Sequence, residues 1–254
     1  MTDASVPHSA RVWNHWLGGT DNFEVDRQVG DQFAALYPDI VLVARSSRAF
    51  LKRAVTFLAA ERGVRQFLDI GTGIPSAEHT HEVAHAVAPD ARVIYVDNDP
   101  LVLEHSRRVL AGAADYLDAD LHDPADILAR ANLDDSRPVA LILTNILGHV
   151  TDPADAEHLT RTLMDALPSG SYLVTADGTN VLDGPAFEQA IAVWNANAPL
   201  SYHLRHPDEL AHFLTGLEIL DPGLVPCASW RPAPGTPPED LRPTDEYGAV
   251  ARKP

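Results

Sequence analysis

The stretch RQFLDIGTG at residues 65–73 decides the fold. It is a short apolar run that reaches Asp69 and is then followed by Gly71 and Gly73. Such a run between turn signals favours a buried strand, and the glycines let the backbone turn tightly where the strand ends. A helical pattern covers residues 76–88. The stretch therefore predicts the first strand of a parallel sheet and the crossover helix after it.

The alternation of apolar runs and helical patterns continues along most of the chain. Further strand-like runs lie at residues 91–97, 113–117, 138–147 and 171–177. Residues 217–226 and 247–253 flank the proline-rich stretch 231–243 and are expected to pair as a terminal hairpin. Strands separated by helices predict an α/β fold with a doubly wound, mostly parallel sheet. In such a sheet, ligands bind beyond the carboxyl ends of the strands.

The N-terminal part of the chain differs from the rest, because it has helical patterns and no clear strand. In residues 47–61, for example, apolar side chains share one helical face. We therefore predict two regions, which are an N-terminal helical extension or lid at residues 1–62 and a ligand-binding domain at residues 63–254.

The composition excludes several classes of protein. The 254 residues include 19 Lys and Arg against 36 Asp and Glu, which gives a formal net charge of −17. Such a chain is expected to repel nucleic acid and anionic membranes. Its one cysteine, Cys227, cannot form an internal disulfide, and no apolar run resembles a signal peptide or a membrane span. We expect a cytoplasmic protein that binds a small molecule, with the oligomeric state left open and a homodimer as one option.

Acidic residues follow three successive predicted strands. A carboxylate at Asp69, just before the glycines, suits the ammonium of an amino acid better than a pyrophosphate. Asp97 can accept hydrogen bonds from ribose hydroxyls, and Asp120 can accept one from the amino group of adenine. An amino acid, a ribose and an adenine together describe S-adenosylmethionine (SAM). The predicted SAM-binding residues of this region are Asp69, Gly71, Gly73, Asp97, Asn98, Asp120 and Leu121.

Two sequence patterns partly match motifs for other ligands, but each lacks a residue that its full motif requires. A nicotinamide dinucleotide fingerprint needs a third glycine where this chain has Ser76, and Asp69 would repel its pyrophosphate. HEVAH at residues 81–85 matches a zinc-protease motif. It lies in the predicted first crossover helix and lacks the third histidine of the longer motif, so we predict no metal site.

Several of these motifs occur together in one known group of proteins. DIGTG (69–73), VIYVDNDP (93–100) and YLDADLHDP (116–124) resemble the cofactor motifs of class I SAM-dependent methyltransferases. More narrowly, LGGTDNF (17–23) and YGAVARKP (247–254) resemble an actinobacterial S-adenosyl methyltransferase family that was once catalogued as a domain of unknown function. The resemblance implies a seven-stranded sheet with a terminal antiparallel hairpin, and SAM as the cofactor. It implies no particular substrate.

The N-terminal motif supplies further candidates for binding SAM. Gly19 belongs to a glycine pair that is typical of a helix C-cap. Asn22 is predicted to hold the amino-acid end of SAM, and Arg48 is predicted to pair with its carboxylate. Gly19 is also predicted to bind SAM. Trp13 and Trp16 either pack on the core or face the sulfonium by cation–π attraction.

Residues after the fourth predicted strand are the candidates for catalysis. His149 is the candidate base, because an imidazole can take a proton near neutral pH, although it can equally cap a carbonyl. Asn145 can contact the cofactor or take part in the chemistry. Relatives commonly have leucine, histidine and an aromatic residue where this chain has Leu147-Gly148-His149, so the histidine is displaced by one position. Other polar candidates for the acceptor site are Asp177, Asn180, Tyr202, His203 and His206.

The leading hypothesis is a SAM-dependent methyltransferase that acts on a small molecule in bacterial secondary metabolism. One alternative keeps SAM but changes the reaction, since a cyclase or an aminocarboxypropyl transferase would release methylthioadenosine. Another alternative is a SAM-binding module without catalysis, and a further one is a nicotinamide-dependent oxidoreductase on the same kind of sheet.

Overall fold

The structure is a computed structural model that describes residues 5–74, 78–110 and 112–254, with the backbone alone at 105 and 107–110. The position of Ser76 therefore lies outside the described residues. The helices are α1 (Ser9–Trp16), α2 (Glu24–Leu36), α3 (Ile40–Glu61), α4 (Thr80–Val87), α5 (Pro100–Leu110), α6 (Pro124–Ala131), α7 (Pro153–Ala166), α8 (Gly184–Asn197) and α9 (Pro207–His212). The strands are β1 (Gln66–Ile70), β2 (Arg92–Asp97), β3 (Asp115–Asp118), β4 (Val139–Thr144), β5 (Tyr172–Gly178), β6 (Glu218–Ile219), β7 (Val225–Pro226) and β8 (Glu246–Arg252).

The strands form one sheet in the order β3-β2-β1-β4-β5-β8-β6, and β7 also pairs with β8. Strands β1 to β5 are parallel, whereas β8 is antiparallel to β5, β6 and β7. This confirms the predicted α/β fold with its mostly parallel sheet and terminal antiparallel pairing. The prediction of one strand at 217–226 was wrong in detail, because a turn containing Pro222 and Gly223 divides it into β6 and β7. Proline lacks the N–H that a ladder needs, so it interrupts the pairing.

Helices cover both faces of the sheet. Phe67 of β1 joins a core with α3 and α4, and the next residue, Leu68, joins a core with α6 and α7 on the opposite face. Strand β1 is buried throughout, which explains its near-continuous apolar sequence. Asp123 and Asp152 begin α6 and α7 by accepting hydrogen bonds from backbone N–H groups of the first turn.

The N-terminal helices pack in two different ways. Helix α3 belongs to the main core, where Phe50 and Leu58 lie against the sheet. Helices α1 and α2 instead form a smaller core with α8, in which Val12, Phe33 and Phe187 are buried. Together α1, α2 and α8 stand beside the carboxyl edge of the sheet, while the predicted division at residue 62 stays a prediction. Of the helices in the described part of the chain, none has the length and hydropathy needed to cross a bilayer.

Candidate functional site

One cavity of about 310 Å³ lies where the parallel strands end and the N-terminal helices cover them. Asp69, Asp97 and Asp120 all line it, although they follow three different strands. The predicted site residues in its lining are Arg48, Asp69, Gly71, Gly73, Asp97, Asn98, Asp120, Leu121, Asn145 and His149. The convergence that the strand order predicts is therefore present in the fold.

The glycine turn after β1 is closed by backbone hydrogen bonds. Gly71 has φ 74°, and its N–H donates to the carbonyl of Val96 at 2.8 Å. Gly73 has φ 63°, and its N–H donates to Asp97 Oδ2 at 2.9 Å. A Cβ on Gly71 would come within 2.6 Å of the Ile146 side chain. Both glycines are thus required by the backbone conformation, and Gly71 is required by space as well.

Asp97 and Asp120 are held in place by N–H groups. Asp97 accepts the backbone N–H groups of Gly73 and Asp99, one on each carboxylate oxygen. Burial raises the pKa of Asp97, and these two hydrogen bonds oppose the rise. Asp120 accepts the backbone and ring N–H groups of His122 and the amide of Asn98. Partial burial raises the pKa of Asp120, but the hydrogen bonds outweigh it and the pKa is lowered.

Asp69 and Arg48 both line the cavity, and the charge of each affects the pKa of the other. Asp69 is buried and accepts the hydroxyl of Thr80 at 2.6 Å. Burial raises the pKa of Asp69 to about 6, against the opposing effects of Thr80 and the positive charge of Arg48. Burial also lowers the pKa of Arg48, which Asp69 partly restores. The Arg48 guanidinium has no hydrogen bond or ion pair with any described residue, so its donors are available to a ligand.

The glycine pair after α1 is a helix cap and lies outside the cavity lining. The N–H of Gly18 donates to His15 and that of Gly19 to Asn14, which closes a Schellman turn as predicted. The amide of Asn22 donates to Asn14 Oδ1 and to the Gly19 carbonyl, both at 2.9 Å. Gly19 and Asn22 therefore shape the turn, and of this segment Trp13, Asn14, Trp16 and Leu17 line the cavity instead. The contact of Gly19 and Asn22 with SAM stays a prediction, and neither residue lines the cavity.

His149 lies in a 3₁₀ helix, Leu147–His149, that directly follows β4. Its Nδ1 donates to the carbonyl of Ser201 at 2.9 Å, and its ring meets that of Tyr202 edge-on. Burial lowers the pKa of His149, and the nearby His8 lowers it further while the Ser201 carbonyl raises it. The imidazole is thus neutral at pH 7 and leaves Nε2 as an acceptor. Both predicted roles are compatible with this geometry, since His149 caps a carbonyl and also lines the cavity.

Tyr202 explains why a glycine precedes His149. Its hydroxyl donates to Asp177 Oδ1 at 2.8 Å and accepts the N–H of Gly178. A Cβ on Gly148 would come within 2.3 Å of the Tyr202 ring, so no larger residue fits there without a shift. Burial raises the pKa of Asp177 to about 6, and hydrogen bonds from Tyr202 and Gly148 oppose the rise. Of the other polar candidates, Asn180, His203 and His206 lie outside the cavity lining.

The floor of the cavity contains a carboxyl group that the sequence reasoning missed. Glu246 is 0% exposed, lines the cavity, and has no hydrogen bond at either carboxyl oxygen. Burial and the negative charge of Asp177 raise the pKa of Glu246, and the polar groups of Ser47 and Asn145 oppose the rise, because they lie close to the carboxyl although neither has the geometry of a formed hydrogen bond with it. Asn145 has φ 57° and donates its amide to Ser47 Oγ at 2.8 Å.

The register of β8 brings Glu246 to this place. Glu246 is the first residue of β8 and pairs with Gly178, the last residue of β5. Because β8 is antiparallel, its beginning lies at the same edge as the carboxyl ends of the parallel strands. Because ligands bind beyond the carboxyl ends of parallel strands, the sequence pattern indicates Asp69, Asp97 and Asp120. It does not indicate Glu246, which begins an antiparallel strand at the same edge.

The HEVAH histidines are used within the fold. A ring nitrogen of His81 is 2.9 Å from the hydroxyl of Tyr95, and His85 bonds to the Ala91 carbonyl at 2.8 Å. Neither histidine lines the cavity. Across residues 5–74, 78–110 and 112–254, no group of three or more potential metal ligands is found.

The comparisons with known proteins agree on one family. The family model described as S-adenosyl methyltransferase matches residues 1–254. A DUF574 family protein from Streptomyces avermitilis is 40% identical over 99% of both chains, with a TM-score of 0.91. A protein from Thermobifida fusca, provisionally assigned as a methyltransferase, is 37% identical over 99% of this chain and 96% of its own, also with a TM-score of 0.91.

A more distant structure shares the fold. The N-methyltransferase NodS from Bradyrhizobium japonicum, in complex with S-adenosylhomocysteine (SAH), is 12% identical over 84% of this chain and 88% of its own. Its TM-score is 0.51. A search of curated proteins found no significant match.

Proposed function

The chain belongs to the S-adenosyl methyltransferase family, and from that premise we propose that it transfers a methyl group from SAM to a small molecule held in the cavity. SAM is the cofactor of the family. The observation that carries the proposal is that one cavity joins the strand-end acids to an aromatic wall. We call the part lined by Asp69, Asp97 and Asp120 the cofactor half, and the part lined by Trp13, His149 and Trp194 the acceptor half.

The cofactor half suits SAM on two observations. The Arg48 guanidinium is unpaired and can bind the carboxylate of the amino-acid end, while Asp69 beside it can bind the ammonium. The glycine turn has no Cβ where a ligand approaches the backbone, and Gly71 cannot carry one. Asp97 would hold the ribose, and Asp120 with Leu121 would hold the adenine. Each of these roles stays a prediction for the individual residue.

The acceptor half suits a small and largely apolar molecule. Its walls come from α1, α8 and the segment after α8, and they include Trp13, Phe187, Ile191, Trp194 and Leu200. The whole cavity, which the acceptor shares with the cofactor, has a volume of about 310 Å³, at the lower end of the range for small-ligand cavities, so only part of it is left for the acceptor. A net charge of −17 further disfavours a nucleic acid as the acceptor. Bacterial secondary metabolism in the cytoplasm is the setting that we propose, on the family resemblance alone.

The residues around the acceptor would position it, exclude water from it and supply a base. SAM supplies, when bound, a methyl group on a positively charged sulfur. The apolar wall holds the acceptor and excludes water, which favours a displacement that needs close approach. His149 Nε2 can receive a proton that the acceptor loses, because Nδ1 is fixed on the Ser201 carbonyl. Asn145 is fixed by its hydrogen bonds to Ser47 and to the Ala176 carbonyl.

The reaction is tested by analysing the products. We expect purified protein, SAM labelled on the methyl group and a small-molecule extract of an actinobacterium to yield SAH and a labelled compound that passes an ultrafiltration membrane. A label retained with protein or nucleic acid would contradict a small-molecule acceptor. Methylthioadenosine without SAH would contradict methyl transfer and favour the cyclase or aminocarboxypropyl alternative.

A further inference from the structure

The carboxyl group of Glu246 lines the cavity, has no hydrogen bond, and is not one of the strand-end acids that define the cofactor half. We define the floor cluster as Ser47 of α3, Asn145 after β4, and Glu246 at the start of β8, all of which line the cavity. Neither Glu246 oxygen is hydrogen-bonded, although the side chain is fully buried. A buried carboxyl without a partner costs free energy, so its presence at the base of a cavity calls for a ligand that satisfies it.

Acceptors of hydrogen bonds outnumber donors in this region. The acceptors include both oxygens of Glu246 and Asn145 Oδ1, whereas the donors are the Ser47 hydroxyl and the second N–H of Asn145, whose other N–H donates to Ser47 Oγ. His149 adds Nε2, because its Nδ1 donates to Ser201. Among the described residues that line the cavity, Arg48 alone carries a guanidinium or ammonium group, and it faces Asp69 in the cofactor half. A ligand that brings donors of its own therefore satisfies the acceptors that the protein leaves without a partner.

We propose that the acceptor molecule carries an amine on an apolar frame, and that Glu246 binds its N–H groups. This inference rests on the proposed function. An ammonium offers several donors to a site with several acceptors, whereas an alcohol offers one. Its positive charge also compensates a buried carboxylate, and the rings of Trp13 and Trp194 can attract a cation.

The charges around Glu246 agree with this assignment. Asp177 lies near enough to disfavour the ionised form of Glu246, and Tyr202 and Cys227 nearby are themselves kept neutral by burial. Burial and Asp177 favour the neutral form of Glu246, because both raise its pKa. A bound ammonium favours the ionised form instead, so binding shifts Glu246 toward the carboxylate and releases protons to solvent. Release of a proton on binding is therefore a signature that a purely structural glutamate would lack.

The experiment compares matched amines and alcohols on protein saturated with SAH, which cannot donate a methyl group. The probes are phenethylamine with 2-phenylethanol and benzylamine with benzyl alcohol, titrated by calorimetry at pH 7 in two buffers that differ in ionisation heat. We expect wild-type protein to bind each amine at least about tenfold tighter than its alcohol and to release a proton. Glu246→Gln should weaken amine binding at least about tenfold, abolish the proton release and leave SAH affinity unchanged.

Two further variants make the result specific. Glu188→Gln removes an exposed acid of α8 outside the cavity lining, and it should behave as wild type. Glu246→Asp keeps the charge and should retain part of the amine preference. Equal binding of amine and alcohol by the wild type, no binding of either, or an amine preference that survives in Glu246→Gln would overturn the inference. Failure of the wild type to bind SAH would instead refute the proposed function, and the inference with it.

Discussion

The two halves of the cavity satisfy their polar groups differently. In the cofactor half, Asp97 and Asp120 already accept several hydrogen bonds from neighbouring residues, most of them from backbone N–H groups. In the acceptor half, Glu246 is buried with no hydrogen bond and His149 keeps one nitrogen unused. Apart from the unpaired Arg48, the cofactor half is therefore preformed, whereas Glu246 and His149 keep acceptors that only a bound molecule can satisfy.

This difference follows from the elements that build each half. Turns at the ends of parallel strands supply the cofactor half, so the sheet itself fixes their positions. Helices α1 and α8 and the start of β8 supply the acceptor half, and their packing joins parts of the chain that are far apart in sequence. A change in one half should consequently leave the other largely intact, and the predictions below test that separation.

The largest effect is expected from His149→Ala. If His149 Nε2 receives the acceptor's proton, turnover should fall by about 100- to 10,000-fold, which is the usual contribution of a general base. The affinity for SAM, measured by calorimetry, should stay within about threefold of wild type, because His149 belongs to the acceptor half. His203→Ala is the matched control, since His203 is exposed, lies nearby and is outside the cavity lining.

Either of two results would contradict the prediction that His149 acts in the acceptor half independently of the cofactor half. If His149→Ala kept wild-type turnover, the histidine would serve only as the cap of the Ser201 carbonyl. If it lost SAM affinity as strongly as turnover, the two halves would be coupled rather than independent.

A smaller effect is expected from Asp97→Ala. Losing a partly buried hydrogen-bond partner should weaken SAM binding by about 1–3 kcal/mol, or roughly 5- to 150-fold. The variant also leaves the N–H groups of Gly73 and Asp99 without their acceptor, so some loss of thermal stability should accompany it. Asp118→Ala, an exposed acid at the end of β3 outside the cavity lining, should change neither quantity. Unchanged SAM affinity in Asp97→Ala would refute the assignment of Asp97.

The same contrast explains how much the sequence could predict. The strands β1 to β5 and the acids at their ends were found because a buried parallel strand is an apolar run with a defined end. Glu246 was missed because its position depends on the register of an antiparallel strand, which no local pattern reveals. The glycine at 148 looked like a displaced motif, and only the packing of Tyr202 against it gives the reason. The role of Asn22 toward SAM stays a prediction, and the sequence pattern did not reveal that its amide is used inside its own turn.

The smallest effect concerns the pH dependence of SAM binding, and it separates Asp69 from the other buried acids. The pKa of Asp69 is raised to about 6, and the SAM ammonium should pair with the ionised form. Affinity should therefore be constant above about pH 7 and fall by up to about tenfold per pH unit below 6, because binding must then displace a proton. Calorimetric titrations at pH 7, 6 and 5 measure this slope.

Asp69→Asn should bind SAM more weakly at pH 7 and lose most of the slope. Asp177→Asn is the matched control, because the pKa of Asp177 is also raised to about 6 but this acid contacts Tyr202 behind the cavity wall and should keep the slope. The free energy of unfolding of the ligand-free protein should show the opposite pH dependence, because the contribution of these two acids decreases as the pH rises. Both acids favour their neutral form in the folded state, so their contribution is largest below about pH 4 and is lost as the pH rises through 6. A SAM affinity that stayed flat from pH 7 to 5 in the wild type would show that Asp69 does not pair with the ammonium.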